Sequence, residues 1–348
     1  MGNESKRRTS ERSCSRVFAA DLTRNCERLR FQTTMAFAAA LILSTVSQLV
    51  TPAFAAGPAS CSGNAIPPPQ VFGTKVVDVR ALEVRGYEYK SLIPPPEPIP
   101  PIDFCNVTVT YTHPGWEDRV AVYVWLPLEQ KDWNGRFLAQ GGGGWAAGNE
   151  GSPAIGILKG YAGAFTDAGH DIWDPAAGGR AEWTLHSPGV PNLPLIYDFS
   201  YQALDDMTKI SKAVIESFYG KKPKYSYWEG CSTGGRQGMV QAQRFPGNYD
   251  GILAMAPAIN WVSMVLENFW GQVIMNEMDF HPPVCESTAI YEAAVEACDE
   301  LDGVKDGIVA AHGLCEFDPI SVVGKNIDCD GKPHQISRGA AKVMKALW

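Results

Sequence analysis

The sequence predicts an α/β fold, in which strands and helices alternate along the chain. Apolar runs at 107–111, 120–126 and 136–139 have the length and pattern of strands. Apolar residues recur at helical spacing from Ile196 to Ser217, which indicates an amphipathic helix. A continuous apolar run from Gly251 to Ala256 is typical of a buried parallel strand. Strands and helices in this order indicate an α/β sheet.

The N-terminal part of the chain is expected to contain antiparallel strands. A strand near 75–84 lies within a proline-rich, extended region at 62–102. The runs at 107–111 and 120–126 are expected to form an antiparallel hairpin around His113-Pro114-Gly115.

The C-terminal elements differ from those before them. The helix at 196–217 is expected to carry Asp205 and Asp206 on its polar side. After Pro257 the alternation stops, and the segment 261–348 is expected to be a helical and loop insertion.

The segment Gly230-Cys231-Ser232-Thr233-Gly234 is the most informative motif of the chain. It follows a strand-like run at 224–229 and precedes a helix-compatible segment at 237–244. That context predicts a nucleophile elbow, a sharp strand-to-helix turn that lifts a serine hydroxyl clear of the backbone. The alternative is an ordinary glycine-rich turn. The motif with its context favours Ser232 as a nucleophile.

A run of four glycines, 141–144, follows the strand predicted at 136–139. Such a loop lets backbone N–H groups approach a developing oxyanion, together with the amide of Thr233. We expect Gly142 or Gly143 to be the donor. A phosphate-binding loop is disfavoured because the Gly-Lys-Ser/Thr ending is absent. A flexible loop is the remaining alternative.

The segment 299–308 concentrates three carboxylates, those of Asp299, Asp302 and Asp306, with glycines between them. Oxygen-rich loops of this kind suit Ca²⁺, which takes six to eight hard ligands. An EF-hand is excluded because Ala310 stands where the loop would need a glutamate. A solvated acidic turn is the alternative.

Composition and charge limit the partners. The net charge is −8. Residues 1–56 contain more basic than acidic residues, so the body of the chain that follows them is more acidic still. We expect no nucleic-acid partner, because the body has no basic stripe.

The N-terminal segment predicts export. Residues 35–56 form an apolar run that ends in Ala53-Phe54-Ala55, which has the small-x-small form of a signal cleavage site. Residues 1–56 are therefore expected to be a signal peptide with an N-terminal extension. The protein would be secreted and free of the membrane after cleavage. An uncleaved membrane anchor is the alternative, since the run is almost long enough to span a bilayer.

Cysteines and histidines raise two questions about the body of the chain. Its cysteines number seven, and an odd count in an oxidising compartment means that one thiol is free or that its partner lies elsewhere. A serine esterase of this fold also needs a histidine after the serine in the chain. The histidines are His113, His170, His186, His281, His312 and His334. None of them is a convincing base.

Taken together, these motifs resemble the tannase and feruloyl esterase family of secreted serine esterases. The resemblance extends from Cys61 to Trp348. It is most specific at 228–238, 244–252 and 297–307, with further matches at 160–162 and 167–170.

The resemblance implies an α/β-hydrolase core at 57–258, interrupted by an inserted lid domain that is partly present at 259–348. Ser232 would be the nucleophile and Thr233 the adjacent oxyanion-hole residue. The reaction would hydrolyse feruloyl (hydroxycinnamoyl) or galloyl esters, as small molecules or linked to polysaccharide, through a serine acyl-enzyme. The alternative function is a non-catalytic secreted protein that binds phenolic compounds or carbohydrate.

The resemblance also implies a structural Ca²⁺ in the lid and three disulfides. The ion would be bound by the side chains of Asp299, Asp302 and Asp306 and the carbonyls of Val304 and Ile308. The disulfides would be Cys61–Cys105, Cys285–Cys329 and Cys298–Cys315.

Cys231 is left without a partner by this scheme. In the family, the corresponding cysteine bonds to a cysteine beside the catalytic histidine, and both that pair and the catalytic aspartate segment are missing here. The resemblance therefore implies a chain that ends inside the lid, lacks its C-terminal strands, and is impaired in catalysis.

Overall fold

The computed structural model describes residues 60–89, 99–174 and 179–348. The segment 1–56, expected to be a signal peptide, lies outside the described residues. Within those ranges, every helix is too short or too polar to cross a membrane.

The described residues form strands and helices that we number in chain order. The strands are β1 (Lys75–Tyr87), β2 (Ile102–Thr112), β3 (Val120–Leu126), β4 (Arg136–Gln140), β5 (Ala162–Thr166), β6 (Leu185–Ser187), β7 (Val190–Pro191), β8 (Tyr225–Cys231), β9 (Gly251–Met255), β10 (Asn326–Cys329) and β11 (Lys332–Gln335). The α-helices are α1 (Ala154–Leu158), α2 (Leu193–Ser200), α3 (Gln202–Tyr219), α4 (Thr233–Arg244), α5 (Trp261–Glu277), α6 (Val284–Cys298) and α7 (Arg338–Leu347). Short 3₁₀ turns cover Gly63–Ala65, Glu182–Thr184, Asp299–Asp302, His312–Leu314 and Pro319–Val322.

In the described part of the chain, seven strands form a central sheet in the order β1-β2-β3-β5-β4-β8-β9. The pairs β1–β2, β2–β3 and β3–β5 are antiparallel, whereas β5, β4, β8 and β9 run parallel. The hairpin expected around His113 is confirmed, with Tyr111 opposite Val120. The fold is therefore a mixed α/β architecture with one central sheet, as expected.

Helices cover both faces of the sheet. Successive side chains of a strand point to opposite faces, so neighbouring residues enter different cores. Helix α3 contributes Leu204 and Met207 to the larger core, which contains Phe137 of β4. On the other face, Ile157 of α1 packs with Phe165 of β5. Strand β8, which leads to Ser232, lies between β4 and the last strand, β9.

The helix expected at 196–217 is two helices, because α2 ends and α3 begins around Tyr201, whose φ of −160° is not helical. The expectation that Asp205 and Asp206 face solvent is wrong. Asp205 is 6% exposed and Asp206 1%. Each carboxylate has a partner that can carry a positive charge: the half-exposed Lys209 for Asp205 and the buried His113 for Asp206. These partners compensate for burial on a helix that packs against the sheet.

The strand at 251–255 is parallel, as expected, but it is not buried on both faces. It pairs with β8 alone and is the last strand of the sheet in the described residues. Leu253 is 53% exposed and Met255 37%. A continuous apolar run predicts two covered faces, and the described residues cover only one of them.

The segment after β9 has a hydrophobic cluster of its own. Its buried members are Ile290, Val322, Ile336, Ala340 and Ala341. The cluster lies among α6, α7 and the 3₁₀ turn at Pro319–Val322. The disulfides Cys285–Cys329 and Cys298–Cys315 join parts of this segment, and Cys61–Cys105 ties the N-terminal residues to β2. These are the three pairings that the family resemblance implies.

Two matched substitutions test the position of the core. Phe137→Ala removes a side chain with no exposed surface and is expected to lower the free energy of unfolding by about 3–5 kcal/mol. Phe72→Ala, the same change at a fully exposed residue, is expected to change it by less than about 0.5 kcal/mol. Urea denaturation measures both. Equal losses for the two variants would contradict this description of the core.

Candidate active site

The serine lies on a sharp turn between a strand and a helix. Strand β8 ends at Cys231 and helix α4 begins at Thr233, so Ser232 is the single residue between them. Its φ of 59° and ψ of −116° are unusual for a residue with a side chain. Backbone strain of this kind costs about 1–3 kcal/mol and is found where a functional group must be presented. The side chain is exposed, as nucleophilic attack requires.

Backbone hydrogen bonds hold this turn in place. The N–H of Ser232 donates to the carbonyl of Met255 at 3.1 Å, which attaches the turn to the end of β9. The carbonyl of Ser232 accepts from Arg236 at 2.9 Å and from Ala258 at 3.1 Å. Ser232 is thus hydrogen-bonded both to its own helix, α4, and to the end of β9 with the residues that follow it.

Glycines are required here because backbone segments approach very closely. A Cβ on Gly230 would lie 2.4 Å from the backbone of Gly234, and one on Gly235 would lie 2.2 Å from the carbonyl oxygen of Met255. At Gly234 the nearest atom, the carbonyl oxygen of Gly142, is 3.2 Å away, which is tight but less restrictive. The structure therefore adds Gly235 to the residues that the motif identified.

The glycine loop 141–144 lies directly against the start of α4. The carbonyl of Gly142 accepts from the N–H of Gly234 at 2.9 Å, and the carbonyl of Gly144 accepts from the Thr233 hydroxyl at 2.5 Å. The side chain of Gln237 accepts from the N–H of Gly142 at 3.1 Å. No sequence pattern identifies Gln237 as a residue of the site. Its place on the buried face of α4 shows only once the helix is docked on the loop.

The possible oxyanion donors differ in what they already bond. The amide of Gly142 donates to the side chain of Gln237, whereas Gly143 bonds to Ala146 through its carbonyl, which accepts from the Ala146 N–H at 3.0 Å. In the part of the chain that the structure describes, the amide of Thr233 has no hydrogen-bond acceptor. First-turn amides lack partners within their own helix, so this N–H can donate to a ligand.

No histidine contacts the serine. All six histidines lie within the described ranges, and none of them hydrogen-bonds to Ser232. The ring of His170 donates to the carbonyl of Trp145, and burial lowers its pKa. The ring of His334 lies 2.8 Å from Glu286, and that of His113 lies between two aspartates. The site thus contains the exposed hydroxyl of Ser232 and the nearby amide of Thr233, but no histidine ring is placed to act as a base.

Comparison with known proteins identifies the family. The family model described as "Tannase and feruloyl esterase" matches residues 105–341, which is more than half of the chain. The chain belongs to the tannase and feruloyl esterase family. It is 44% identical over 287 residues to a probable feruloyl esterase of Arthroderma benhamiae, covering 81% of this chain and 52% of that protein. It is 38% identical over 232 residues to a tannase of Aspergillus oryzae, covering 65% of this chain and 38% of that protein.

A solved structure of the same kind supports the fold. The tannin acyl hydrolase of Aspergillus niger is similar with a TM-score of 0.69 and 30% identity, covering 84% of this chain and 56% of that one. The chain thus spans about half or less of the length of these members of the tannase and feruloyl esterase family.

A free cysteine and a cleft lie close to Ser232 in the chain. Cys231 is an exposed free thiol directly before Ser232, the cysteine that the pairing scheme implied by the family resemblance leaves over. A cleft of about 610 Å³ lies along α4 and the start of α5, lined by residues that include Arg236, Ile259 and Trp261. Ser232 is not among its lining residues, so the cleft is not assigned as an acyl pocket.

The acidic loop at 299–308 contains carboxylates suited to Ca²⁺, but their oxygens do not converge on one point. Asp302 accepts from the N–H of Val304, Asp306 from that of Ile308, and Asp299 from that of Gly307. Across the described residues, one group of three acidic or histidine side chains has ligand atoms close enough to share an ion, and it is not this loop. These oxygen ligands suit Ca²⁺, but the carboxylates accept hydrogen bonds from backbone amides of the loop. The calcium site therefore stays a prediction.

Two glycine substitutions in the loop test its packing. A Cβ on Gly142 would lie 2.1 Å from the carbonyl oxygen of Ala146, whereas a Cβ on Gly143 meets nothing within 4 Å. Gly142→Ala is therefore expected to lower the free energy of unfolding by about 1–3 kcal/mol. Gly143→Ala, the matched control, is expected to change it by less than about 0.5 kcal/mol. Urea denaturation of both variants checks this, and equal stability would show that the loop does not pack as described.

Proposed function

We propose that this chain provides the nucleophile and oxyanion-binding part of a serine carboxylic ester hydrolase that acts on feruloyl or galloyl esters. The observation that carries the proposal is the strained, exposed Ser232 at the start of α4, beside an amide without an acceptor. The relatives named feruloyl esterase and tannase support the ester class. Phenolic esters, small or attached to polysaccharide, are the proposed substrates.

In the proposed reaction, the hydroxyl oxygen of Ser232 attacks the ester carbonyl and forms a tetrahedral intermediate. The negative oxygen accepts a hydrogen bond from the Thr233 amide and from an amide of the glycine loop, Gly142 or Gly143. One such donor contributes about 3–4 kcal/mol to transition-state stabilisation. Collapse of the intermediate expels the alcohol and leaves an acyl-enzyme. Water then releases the phenolic acid and restores the serine.

Each of these two steps needs a group that accepts and returns a proton. None of the histidines in the chain is bonded to Ser232, so the hydroxyl has no imidazole base in the described arrangement. Loss of the base removes most of the rate of a serine triad, and what remains comes from the oxyanion site and binding. We therefore propose that this chain on its own is strongly impaired.

The remaining expectations are part of the same proposal. Residues 57–258 would be an α/β-hydrolase core and 259–348 part of a lid, which the separate hydrophobic cluster of the second segment supports. The lid would bind a structural Ca²⁺ at Asp299, Asp302 and Asp306, with the carbonyls of Val304 and Ile308. The protein would be secreted.

A hydrolysis assay with and without added imidazole tests the mechanism. We expect slow hydrolysis of methyl ferulate or methyl gallate by the wild-type chain. Imidazole should increase that rate about tenfold or more above its own background, because a diffusible base can replace the missing one. Ser232→Ala should show neither the basal rate nor the increase. Rapid hydrolysis without imidazole would contradict the proposed impairment, and equal rates in Ser232→Ala would contradict the serine mechanism.

The absence of a base at Ser232 also favours one alternative, a secreted protein that binds phenolic compounds or carbohydrate without reaction. Calorimetric titration with ferulic acid, gallic acid and a xylan oligosaccharide distinguishes it. Saturable binding that Ser232→Ala retains, with no hydrolysis in the presence of imidazole, would establish this alternative.

Calcium binding is tested by thermal unfolding. We expect Ca²⁺ to raise the melting temperature relative to EGTA, since an ion that binds only the folded state stabilises it. Asp306→Asn should reduce this difference, while Asp328→Asn, an acidic residue of β10 outside the loop, should preserve it. No effect of Ca²⁺ on the wild-type chain would contradict the calcium site.

A further inference from the structure

A second cluster of polar side chains lies inside the protein, in the residues between β2 and β3 and on the helices that pack there. His113 and Asp118 come from the β2–β3 connection, Asp198 from α2 and Asp206 from α3. Their exposed fractions are 6%, 8%, 0% and 1%. Carboxylates are almost never fully buried without a compensating partner. Three of them around one imidazole therefore require an explanation.

Two of the carboxylates are well satisfied. Asp118 lies 2.5 Å from Nδ1 of His113 and also accepts from the Thr112 hydroxyl. Asp206 lies 2.9 Å from Nε2 of His113 and accepts from the side chain of Gln202 at 3.2 Å. The imidazole is thus held from both sides, with its plane fixed between two strong acceptors.

Asp198 is different, because neither of its carboxylate oxygens has a hydrogen-bond partner within the described residues. The nearest cationic group is His113, whose Nδ1 lies 3.8 Å from Oδ1. In the described chain, no lysine or arginine forms an ion pair with Asp118, Asp198 or Asp206. A buried ionised group without a partner is strongly destabilising, so this carboxylate needs a proton or a cation.

The geometry points to a cation. One ligand atom each from His113, Asp118 and Asp198 lies within 4.8 Å of the others, so a single ion could reach all three. Metal-bound histidines usually donate their second ring N–H to a carboxylate, which fixes the tautomer. The bond from Nε2 to Asp206 has this form, and loss of the proton between Nδ1 and Asp118 would free the lone pair of Nδ1 for an ion that also reaches Asp118 and Asp198.

We propose that His113, Asp118 and Asp198 form a buried site for a divalent transition-metal ion such as Zn²⁺, oriented by Asp206 and separate from the acidic loop at 299–308. One imidazole and two carboxylates suit zinc better than calcium, which prefers more oxygen ligands. Two carboxylates also balance the charge of the ion. Binding would replace the proton between Nδ1 and Asp118 and release it to solvent, and the two atoms would separate from 2.5 Å to about 3.3 Å for tetrahedral coordination.

The site would be structural. Its ligands come from the β2–β3 connection and from α2, and His113 and Asp198 are 85 residues apart in the chain. An ion bound there would join the antiparallel part of the sheet to the helix layer. Stabilisation follows because the ligands are together only in the folded chain.

Metal content and cobalt substitution test the proposal, with Asp198→Asn and Asp205→Asn as a matched pair. Asp205 is also buried on α3 but pairs with Lys209 outside the cluster. After dialysis against chelator and reloading with Zn²⁺, we expect a single tightly held equivalent in the wild-type chain and in Asp205→Asn. Asp198→Asn should bind at least tenfold more weakly. Co²⁺ should give visible d–d absorption in the first two proteins only, and circular dichroism confirms that all three are folded.

Other outcomes would overturn the proposal. Burial raises the pKa of Asp198 to about 8, so a metal-free cluster would hold this carboxyl protonated at neutral pH. Wild-type protein that takes up no Zn²⁺ or Co²⁺, with a melting temperature unaffected by EDTA, would show that a proton and not a metal stabilises the cluster. Retention of zinc and of the cobalt spectrum in Asp198→Asn would show that the ion binds elsewhere, for example at the free thiol of Cys231.

Discussion

The active-site turn depends on how closely three backbone segments approach one another. The end of β8, the first turn of α4 and the glycine loop at 141–144 pack so tightly that a methyl group at Gly230 or Gly141 would overlap the main chain of Gly234. This packing holds Ser232 at a φ of 59°. A strained residue persists only where its surroundings fix it, and here hydrogen bonds to Met255 and Ala258 do so.

The same packing places the proposed nucleophile and oxyanion amide, but it does not bring a histidine to Ser232. The proposed nucleophile, the proposed oxyanion amide and the residues that fix them, such as Gln237, all lie between β4 and β9. They depend on contacts within that part of the sheet. None of the six histidines is hydrogen-bonded to Ser232 in the described arrangement. The proposed impairment rests on this absence of an imidazole partner for the Ser232 hydroxyl.

The sequence predicts features that depend on local pattern and misses those that depend on packing between distant elements. The elbow, the hairpin at His113 and the glycine loop each combine strand length with turn residues, and all three are located correctly. The disulfides followed from family resemblance. The burial of Asp206 was missed, because helical spacing shows where a charge lies on a helix but not that His113, in a distant turn, neutralises it. Asp198 carried no signal at all, since its environment arises only when α2 packs onto the sheet.

The central claim is that the hydroxyl at residue 232 is a reactive nucleophile, and labelling with a fluorophosphonate tests it most directly. The oxygen would displace fluoride from phosphorus and leave a stable adduct that mass spectrometry can locate. With imidazole in the buffer, we predict a single adduct on the peptide that contains Ser232 in wild-type protein and in Cys231→Ala, and no adduct in Ser232→Ala. A folded wild-type protein that remains unlabelled, or an adduct that persists in Ser232→Ala, would contradict the account.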